Sequence, residues 1–183
     1  DDVRALFAFA HAHGESITLR AAGTSLSGQA QGDGILVDVR RHWAGVAVED
    51  GGRRLRVRPG TILSRANLAL APHGFRLGPD PASAAACTVG GVIANNSGGM
   101  RCGIVHDAYQ TLRAMKLVLP SGTVIDTEAA DAEERFAAAE PELARGLLEI
   151  RDEIRADQEL TERIQRKFRI KNTMGYRLCA FLD

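Results

Sequence analysis

Residues 77–103 constrain the fold of this chain more than any other stretch. Their side chains are almost all small, and Asp80 is the only charged residue between Leu77 and Met100. Small side chains let a backbone approach a flat ligand, and glycine adopts turn conformations that other residues avoid. We therefore interpret residues 78–103 as a cradle for a cofactor. The alternative is a small-residue helix and loop that pack tightly in the core.

The same stretch predicts a short helix that begins at Thr88 or Cys87. The first N–H groups of a helix have no partner within it, so they are expected to face an anion. Gly90 and Gly91 in the first turn cost helix stability, and close packing or the approach of a ligand is the expected compensation.

A second glycine-rich loop, residues 20–29, follows a short strand pattern at Ile17–Leu19. Successive N–H groups in a turn of Gly, Ser and Thr form a concave nest that holds phosphate without a lysine. The loop is neither a P-loop nor a Rossmann fingerprint, because it lacks both Gly-Lys-Ser/Thr and Gly-x-Gly-x-x-Gly. Two such loops suggest one long ligand, with a diphosphate at one loop and a ring system at the other. A plain surface turn is the alternative for residues 20–29.

The composition argues against several classes of function. Acidic and basic residues balance at 23 each in 183 residues, so no field of one sign favours nucleic acid or an anionic membrane surface. No apolar run reaches the length of a membrane span. The five histidines form no metal-spaced pair, and Cys87, Cys102 and Cys179 form no Cys-x-x-Cys pair. We therefore expect no metal or iron–sulfur site in these residues, and a reducing cytoplasm.

Hydrophobic spacing and turn residues predict an α+β fold. The expected elements are a helix capped by Asp1 and stopped by Gly14, strands at 17–19 and 35–39, a hairpin of strands at 46–48 and 55–57, a helix over 62–71, and paired strands at 112–119 and 123–125. From about residue 129 the pattern becomes charge-rich helix. Its apolar stripe follows a proline suited to a first helical position, Pro141, and consists of Leu143, Leu147, Ile150 and Ile154.

Several motifs resemble one family. The loops at 20–29 and 78–103 resemble the flavin domain of the vanillyl-alcohol oxidase and p-cresol methylhydroxylase (PCMH) superfamily. Within it, the chain is most similar to the FAD-linked D-lactate, glycolate and D-2-hydroxyglutarate dehydrogenases. The motifs Asn95–Gly103, Leu119–Thr127 and Ile170–Tyr176 resemble large bacterial members in which the dehydrogenase is fused to a downstream iron–sulfur module.

The resemblance implies two small α/β lobes that form a PCMH-type FAD-binding domain. Residues 1–127 would form this domain, and residues 128–183 would form a helical extension that leads to a cap or substrate domain outside this chain. The chain starts at Asp1, within a helix pattern, whereas a strand precedes the first helix in the resembled fold. We therefore expect a piece of a larger protein, and weak FAD retention by residues 1–183 alone.

The resemblance also implies contacts to FAD along its length, from the diphosphate through the ribityl chain to the ring. In that order the contact residues would be Ala22, Gly23, Thr24, Ser25, Gly28 and Gln29, then Pro79, Ser83, Thr88, Val89, Gly90 and Gly91, then Asn95, Gly98, Gly99 and Gly103. Several relatives attach the flavin covalently through a histidine in the first loop. This chain has Ala21-Ala22-Gly23-Thr24 there, so noncovalent FAD is expected.

The implied activity is oxidation of a small 2-hydroxy acid, of the D-lactate or D-2-hydroxyglutarate type, by hydride transfer to FAD. Electrons would pass to an iron–sulfur module, a quinone or a cytochrome. The protein would be cytoplasmic, either free or peripheral at the inner face of the membrane.

In the resembled family the substrate is handled mainly by a cap domain with a motif of the His-x-Gly-Asp-Gly kind, which these residues lack. No catalytic residue is therefore assigned, and residues 1–183 alone are expected to be inactive. Two alternatives stay open. One is a flavin oxidase of the same fold that reduces oxygen, and the other is a non-catalytic module that binds a nucleotide or a partner protein.

Overall fold

Three pairs of short strands carry the β structure of the described residues, and the chain around them divides into two units. The computed structural model describes residues 1–171 and 176–183. Ser16–Thr111 form the main body of one unit, and Asp1–Glu15 form the other with residues 112–171 and Arg177–Asp183. The predicted motif at Ile170–Tyr176 lies largely outside the described residues.

The first strand pair is parallel, and this fixes the path of the loop between its strands. Strand β1 (Ile17–Arg20) pairs with β2 (Ile35–Asp38), with Arg20 opposite Asp38. Parallel strands need a crossover that returns the chain to the starting end, usually through a helix. Here residues 21–34 make the crossover without one. The glycine-rich loop therefore begins at the carboxyl end of β1.

The predicted hairpin is confirmed. Strand β3 (Val46–Glu49) is antiparallel to β4 (Arg54–Val57), and a turn of 3₁₀ helix at Asp50–Gly52 joins them. Val48 lies opposite Leu55, so apolar side chains meet across the pair.

The core of this unit is built around a helix that precedes the predicted cradle and a second helix within it. Helix α2 (Leu63–Leu70) and helix α3 (Val89–Ala94) were both predicted, and Thr88 is the N-cap of α3. A short helix, α4 (Ala108–Thr111), was not predicted. The buried cluster consists of Leu63, Ala66, Cys87, Val89, Val92 and Ala108.

The described residues of the other unit form four helices and one strand pair. Helix α1 (Asp2–His13) ends at Gly14, whose φ of 67° lies in the left-handed region that glycine adopts readily. The remaining elements are β5 (Lys116–Val118), antiparallel to β6 (Val124–Asp126), then α5 (Ala132–Ala139), α6 (Pro141–Ala156), α7 (Gln158–Phe168) and a 3₁₀ turn at Leu178–Phe181.

Two predictions in this unit are only partly right. The expected strand at 112–119 is reduced to β5, because only these three residues lie opposite β6. The apolar stripe of α6 is buried at Ile154, where α7 packs, but Leu143, Leu147 and Ile150 are 47%, 37% and 45% exposed.

A mixture of helices with small sheets confirms the predicted α+β class. The arrangement as two lobes stays a prediction, as does the boundary near residue 127. Across the described ranges 1–171 and 176–183, no helix is both long enough and apolar enough to cross a membrane.

Two leucines on α2 test the position of the core. Leu63 is fully buried and Leu68 is 73% exposed. Leu63→Ala should lower the free energy of unfolding by about 2–5 kcal/mol through lost burial and a cavity, whereas Leu68→Ala should change it by roughly 0.5 kcal/mol or less. Denaturant titration measures both, and equal losses would contradict this core.

Candidate cofactor-binding site

The first glycine-rich loop presents a run of free backbone donors. Within the described residues, the N–H groups of Ala22, Gly23, Thr24 and Ser25 donate to no other group of the protein. Gly23 has a φ of 68°, in the left-handed region, so the turn favours glycine there. Successive unpaired N–H groups in such a turn form a concave site for phosphate oxygens.

Side-chain hydrogen bonds join this loop to the cradle. The Ser25 hydroxyl donates to the side-chain oxygen Oε1 of Gln29, and Gln29 Nε2 donates to Asn95 Oδ1 over 3.4 Å. Asn95 Nδ2 in turn donates to Ser97 Oγ over 3.1 Å. The two predicted loops therefore meet, although Gln29 and Asn95 are 66 residues apart in the sequence.

The first N–H groups of α3 have partners in the protein. Val89 N–H donates to the Thr61 carbonyl and Gly90 N–H to the Pro59 carbonyl, each over 2.9 Å. The expectation that the first N–H groups of this helix are free to face an anion is therefore wrong for Val89 and Gly90. The N–H groups of Val89 and Gly90 are therefore not available to a phosphate.

The two glycines of α3 differ in the space that a side chain would have at each position. A Cβ on Gly90 would lie 2.6 Å from Pro59 Cβ and 2.9 Å from Pro59 O, so close packing excludes a side chain there. A Cβ on Gly91 would meet only Thr88 Oγ1, at 3.6 Å. Packing within the protein therefore explains Gly90 but leaves the absence of a side chain at Gly91 unexplained.

Thr88 caps the same helix from inside the core. Its side chain is fully buried, and Oγ1 accepts from Gly91 N–H over 3.4 Å. Val89 is also buried. Both side chains belong to the core, and the predicted contact of these two residues with a cofactor stays a prediction.

Asp80 determines the path of the backbone at the end of the cradle. Its carboxylate accepts from Arg101 N–H at 3.1 Å and from Cys102 N–H at 3.0 Å. A side chain on Gly99 would collide with the Asp80 backbone carbonyl. The sequence pattern did not predict this role of Asp80, although its position as the sole charged residue between Leu77 and Met100 was the available signal.

The hydrogen bonds around Asp80 also set its protonation. Burial acts to raise the pKa of Asp80, but the N–H groups of Cys102 and Arg101 and the charge of Arg76 more than offset it. The pKa therefore lies below its ordinary value of 3.8, and the carboxylate is ionised at neutral pH.

The other predicted contact residues lie in the same unit. Every residue of the predicted set falls within Ser16–Thr111. Pro79 is buried, while Gly28 and Gly103 turn the backbone with φ of 79° and 57°. Ser83 and Gly98 are half-buried. Their contact with a cofactor stays a prediction.

Two of the three cysteines are core residues. Cys87 and Cys102 are buried and Cys179 is half-buried, and burial raises the pKa of the Cys87 and Cys179 thiols. Among residues 1–171 and 176–183, no group of three His, Cys, Asp or Glu side chains could hold a metal ion.

Comparison with known sequences identifies the family of this site. The family described as "FAD binding domain" matches residues 1–128, which contain both loops. The chain belongs to this family. The match confirms the family that the two loops predicted.

Individual relatives agree with this assignment. Glycolate oxidase subunit GlcD of Escherichia coli is 38% identical over 104 residues, which are 56% of this chain and 21% of that protein. D-2-hydroxyglutarate dehydrogenase of Haemophilus influenzae is 31% identical over 121 residues, 64% of this chain and 12% of that protein. An FAD-linked oxidoreductase of Mycobacterium tuberculosis is 30% identical over 129 residues, 69% of this chain and 28% of that protein. The chain thus spans less than a third of each relative.

The Asp80 hydrogen bonds make a pH-dependent prediction. Asp80→Asn should lower the free energy of unfolding by about 1 kcal/mol near pH 7, because an amide accepts more weakly than a carboxylate. The native pKa is depressed, so the contribution of the carboxylate is complete above pH 3.8 and is lost as the pH falls through the native pKa.

Denaturant titration of the wild type and of Asp80→Asn, from pH 7 down to below pH 3.8, measures this loss of stability. Asp33→Asn, which changes an exposed aspartate, is the matched control. A difference between the wild type and Asp80→Asn that stays constant down to the most acidic conditions would contradict the role given to the Asp80 carboxylate.

Proposed function

We propose that residues 20–29 and 78–103 together bind one FAD molecule noncovalently, with the diphosphate at the first loop and the ring at the second. The observation that carries the proposal is the Gln29–Asn95 hydrogen bond, which brings together two loops that are distant in the sequence. Membership of the FAD-binding domain family supports it.

The first loop fits the diphosphate. The free N–H groups of Ala22–Ser25 supply donors, and their N–H dipoles favour the negative charge of phosphate oxygens. Gln29 is held by Ser25 on one side and by Asn95 on the other, so the end of the loop is ordered before a ligand binds. Ala21-Ala22-Gly23-Thr24 offers no histidine for covalent attachment, which supports noncovalent binding.

The second loop fits an extended, flat group. Gly91 leaves open space on the surface of α3, and a Cβ at Gly103 would meet no protein atom within 4 Å. Gly98 likewise carries no side chain that would hold a ring away from the backbone. The Asp80 carboxylate fixes this backbone through Arg101 and Cys102. A rigid backbone lets its N–H and C=O groups keep a constant direction toward a ligand.

For the whole protein we propose a dehydrogenase of small 2-hydroxy acids, of the D-lactate or D-2-hydroxyglutarate type. Two relatives, a glycolate oxidase subunit and a D-2-hydroxyglutarate dehydrogenase, are named for substrates of this class, which supports the proposal. Bound FAD would supply the two-electron acceptor for the oxidation. The proposal includes an iron–sulfur module, a quinone or a cytochrome as the next acceptor, and a cytoplasmic location.

The proposal assigns this chain the binding of the cofactor and assigns the handling of the substrate to residues beyond it. Residues 1–127 would form the two-lobed FAD-binding domain and residues 128–183 a helical extension. The proposed contacts along FAD are those that the family resemblance implies, and the diphosphate contacts among them use backbone donors that the fold leaves free.

Gly91 gives the most direct test of the site. Gly91→Leu should abolish FAD retention, because its side chain would fill the space beside α3 that the cofactor needs. The fold should survive, since a Cβ at this position meets no protein atom closer than 3.6 Å. The flavin absorbance spectrum of the purified full-length protein measures retention, and circular dichroism measures folding.

Two glycine variants serve as controls. Gly146→Leu lies in α6, where a Cβ would meet nothing within 4 Å, and it should keep full flavin content. Gly90→Ala should lower the free energy of unfolding, because its Cβ would collide with Pro59. A folded Gly91→Leu protein with full flavin content would contradict the proposed position of the cofactor. A colourless wild type without an FAD-dependent rise in Tm would favour a non-catalytic binding module instead.

A further inference from the structure

Arg20 lies beside the free donors of the first loop. It is the last residue of β1, and its guanidinium folds over Gly23. A Cβ on Gly23 would lie 3.0 Å from Arg20 Nη2 and 3.1 Å from Nε. The absence of a side chain at Gly23 therefore lets a cationic group rest against the turn whose N–H groups are unpaired.

The positive charge of Arg20 is not neutralised by an ion pair among the described residues. Within the described residues, its guanidinium forms no ion pair and no hydrogen bond. Its partner in the strand register, Asp38, is bound by Arg40, with Nη2 and Oδ2 2.6 Å apart. Arg40 holds the pKa of Asp38 well below its ordinary value, while Arg20 contributes least to that effect. Two guanidinium groups with one carboxylate leave a net positive charge at the carboxyl end of β1.

We propose that Arg20 is a further binding residue of the FAD site and contacts the diphosphate held by the N–H groups of Ala22–Ser25. The inference rests on the proposed function, because it names the charged partner of the same ligand. A guanidinium presents parallel N–H donors that match two phosphate oxygens, and such charge-assisted bonds are stronger than those from neutral N–H groups. The backbone donors would set the position of the diphosphate, and Arg20 would neutralise its charge.

A different role would be structural, in which Arg20 merely supports the turn at Gly23. The two roles differ in their dependence on salt. A structural role would weaken the binding of FAD and of ADP by the same factor at low and at high salt. A charge role affects only ligands that carry the diphosphate, and it weakens as salt screens the charge.

The test compares Arg20→Gln and Arg20→Lys with the wild type in the full-length protein, with flavin removed. FAD, ADP and riboflavin are the probes, each titrated at low and at high salt. Arg65→Gln, which removes an exposed arginine of α2 in the same unit, is the matched control for net charge.

Arg20→Gln should weaken binding of FAD and of ADP by roughly tenfold at low salt, with a smaller loss at high salt. Arg20→Lys should retain most of the affinity, and riboflavin binding and Arg65→Gln should be unchanged. Unchanged FAD and ADP affinity in Arg20→Gln would overturn the inference while leaving the FAD site intact. A loss of FAD and ADP affinity that is the same at low and at high salt would overturn it in favour of a structural role. A wild type that binds none of the three probes would overturn the proposed function and this inference with it.

Discussion

The site depends on a backbone connection between the turn before α2 and the start of α3. Val89 N–H and Gly90 N–H donate to the carbonyls of Thr61 and Pro59, and the lack of a side chain on Gly90 allows this approach. These bonds fix the first turn of α3 against the core around Leu63. Asn95, at the other end of the same short helix, is thereby held where Gln29 can reach it.

Because of this connection, the two loops offer a ligand different kinds of contact. Because α3 uses its first donors within the protein, the cradle contributes open space and a fixed backbone path. The first loop keeps its donors free at Ala22–Ser25 and has Arg20 beside them. A long ligand with a charged end and a flat end matches such a pair of loops, and FAD is a ligand of that kind.

The sequence predicted the local structure well because local structure follows from neighbouring residues. Gly14 ends α1, Thr88 caps α3, and the spacing of apolar residues located the β3–β4 hairpin. The two loops of the candidate site were also visible in the sequence, since their small residues leave few other interpretations.

The errors concern contacts between residues far apart in the chain. The carbonyls that accept from Val89 N–H and Gly90 N–H lie about thirty residues earlier in the chain, and no local sequence pattern predicts these bonds. The bonds from Arg101 and Cys102 to Asp80 likewise span about twenty residues. Periodicity located the apolar stripe of α6, but it cannot show which part of a stripe another helix covers.

The central claim is that one FAD molecule spans both loops, and amide hydrogen exchange of the full-length protein with and without FAD tests it most directly. The free N–H groups of Ala22–Ser25 exchange fast unless a ligand accepts from them. The account predicts that FAD slows exchange in residues 22–29 and also in residues 91–103, while the hairpin β3–β4 is unchanged. Protection of only one of the two loops, or of neither, would contradict it.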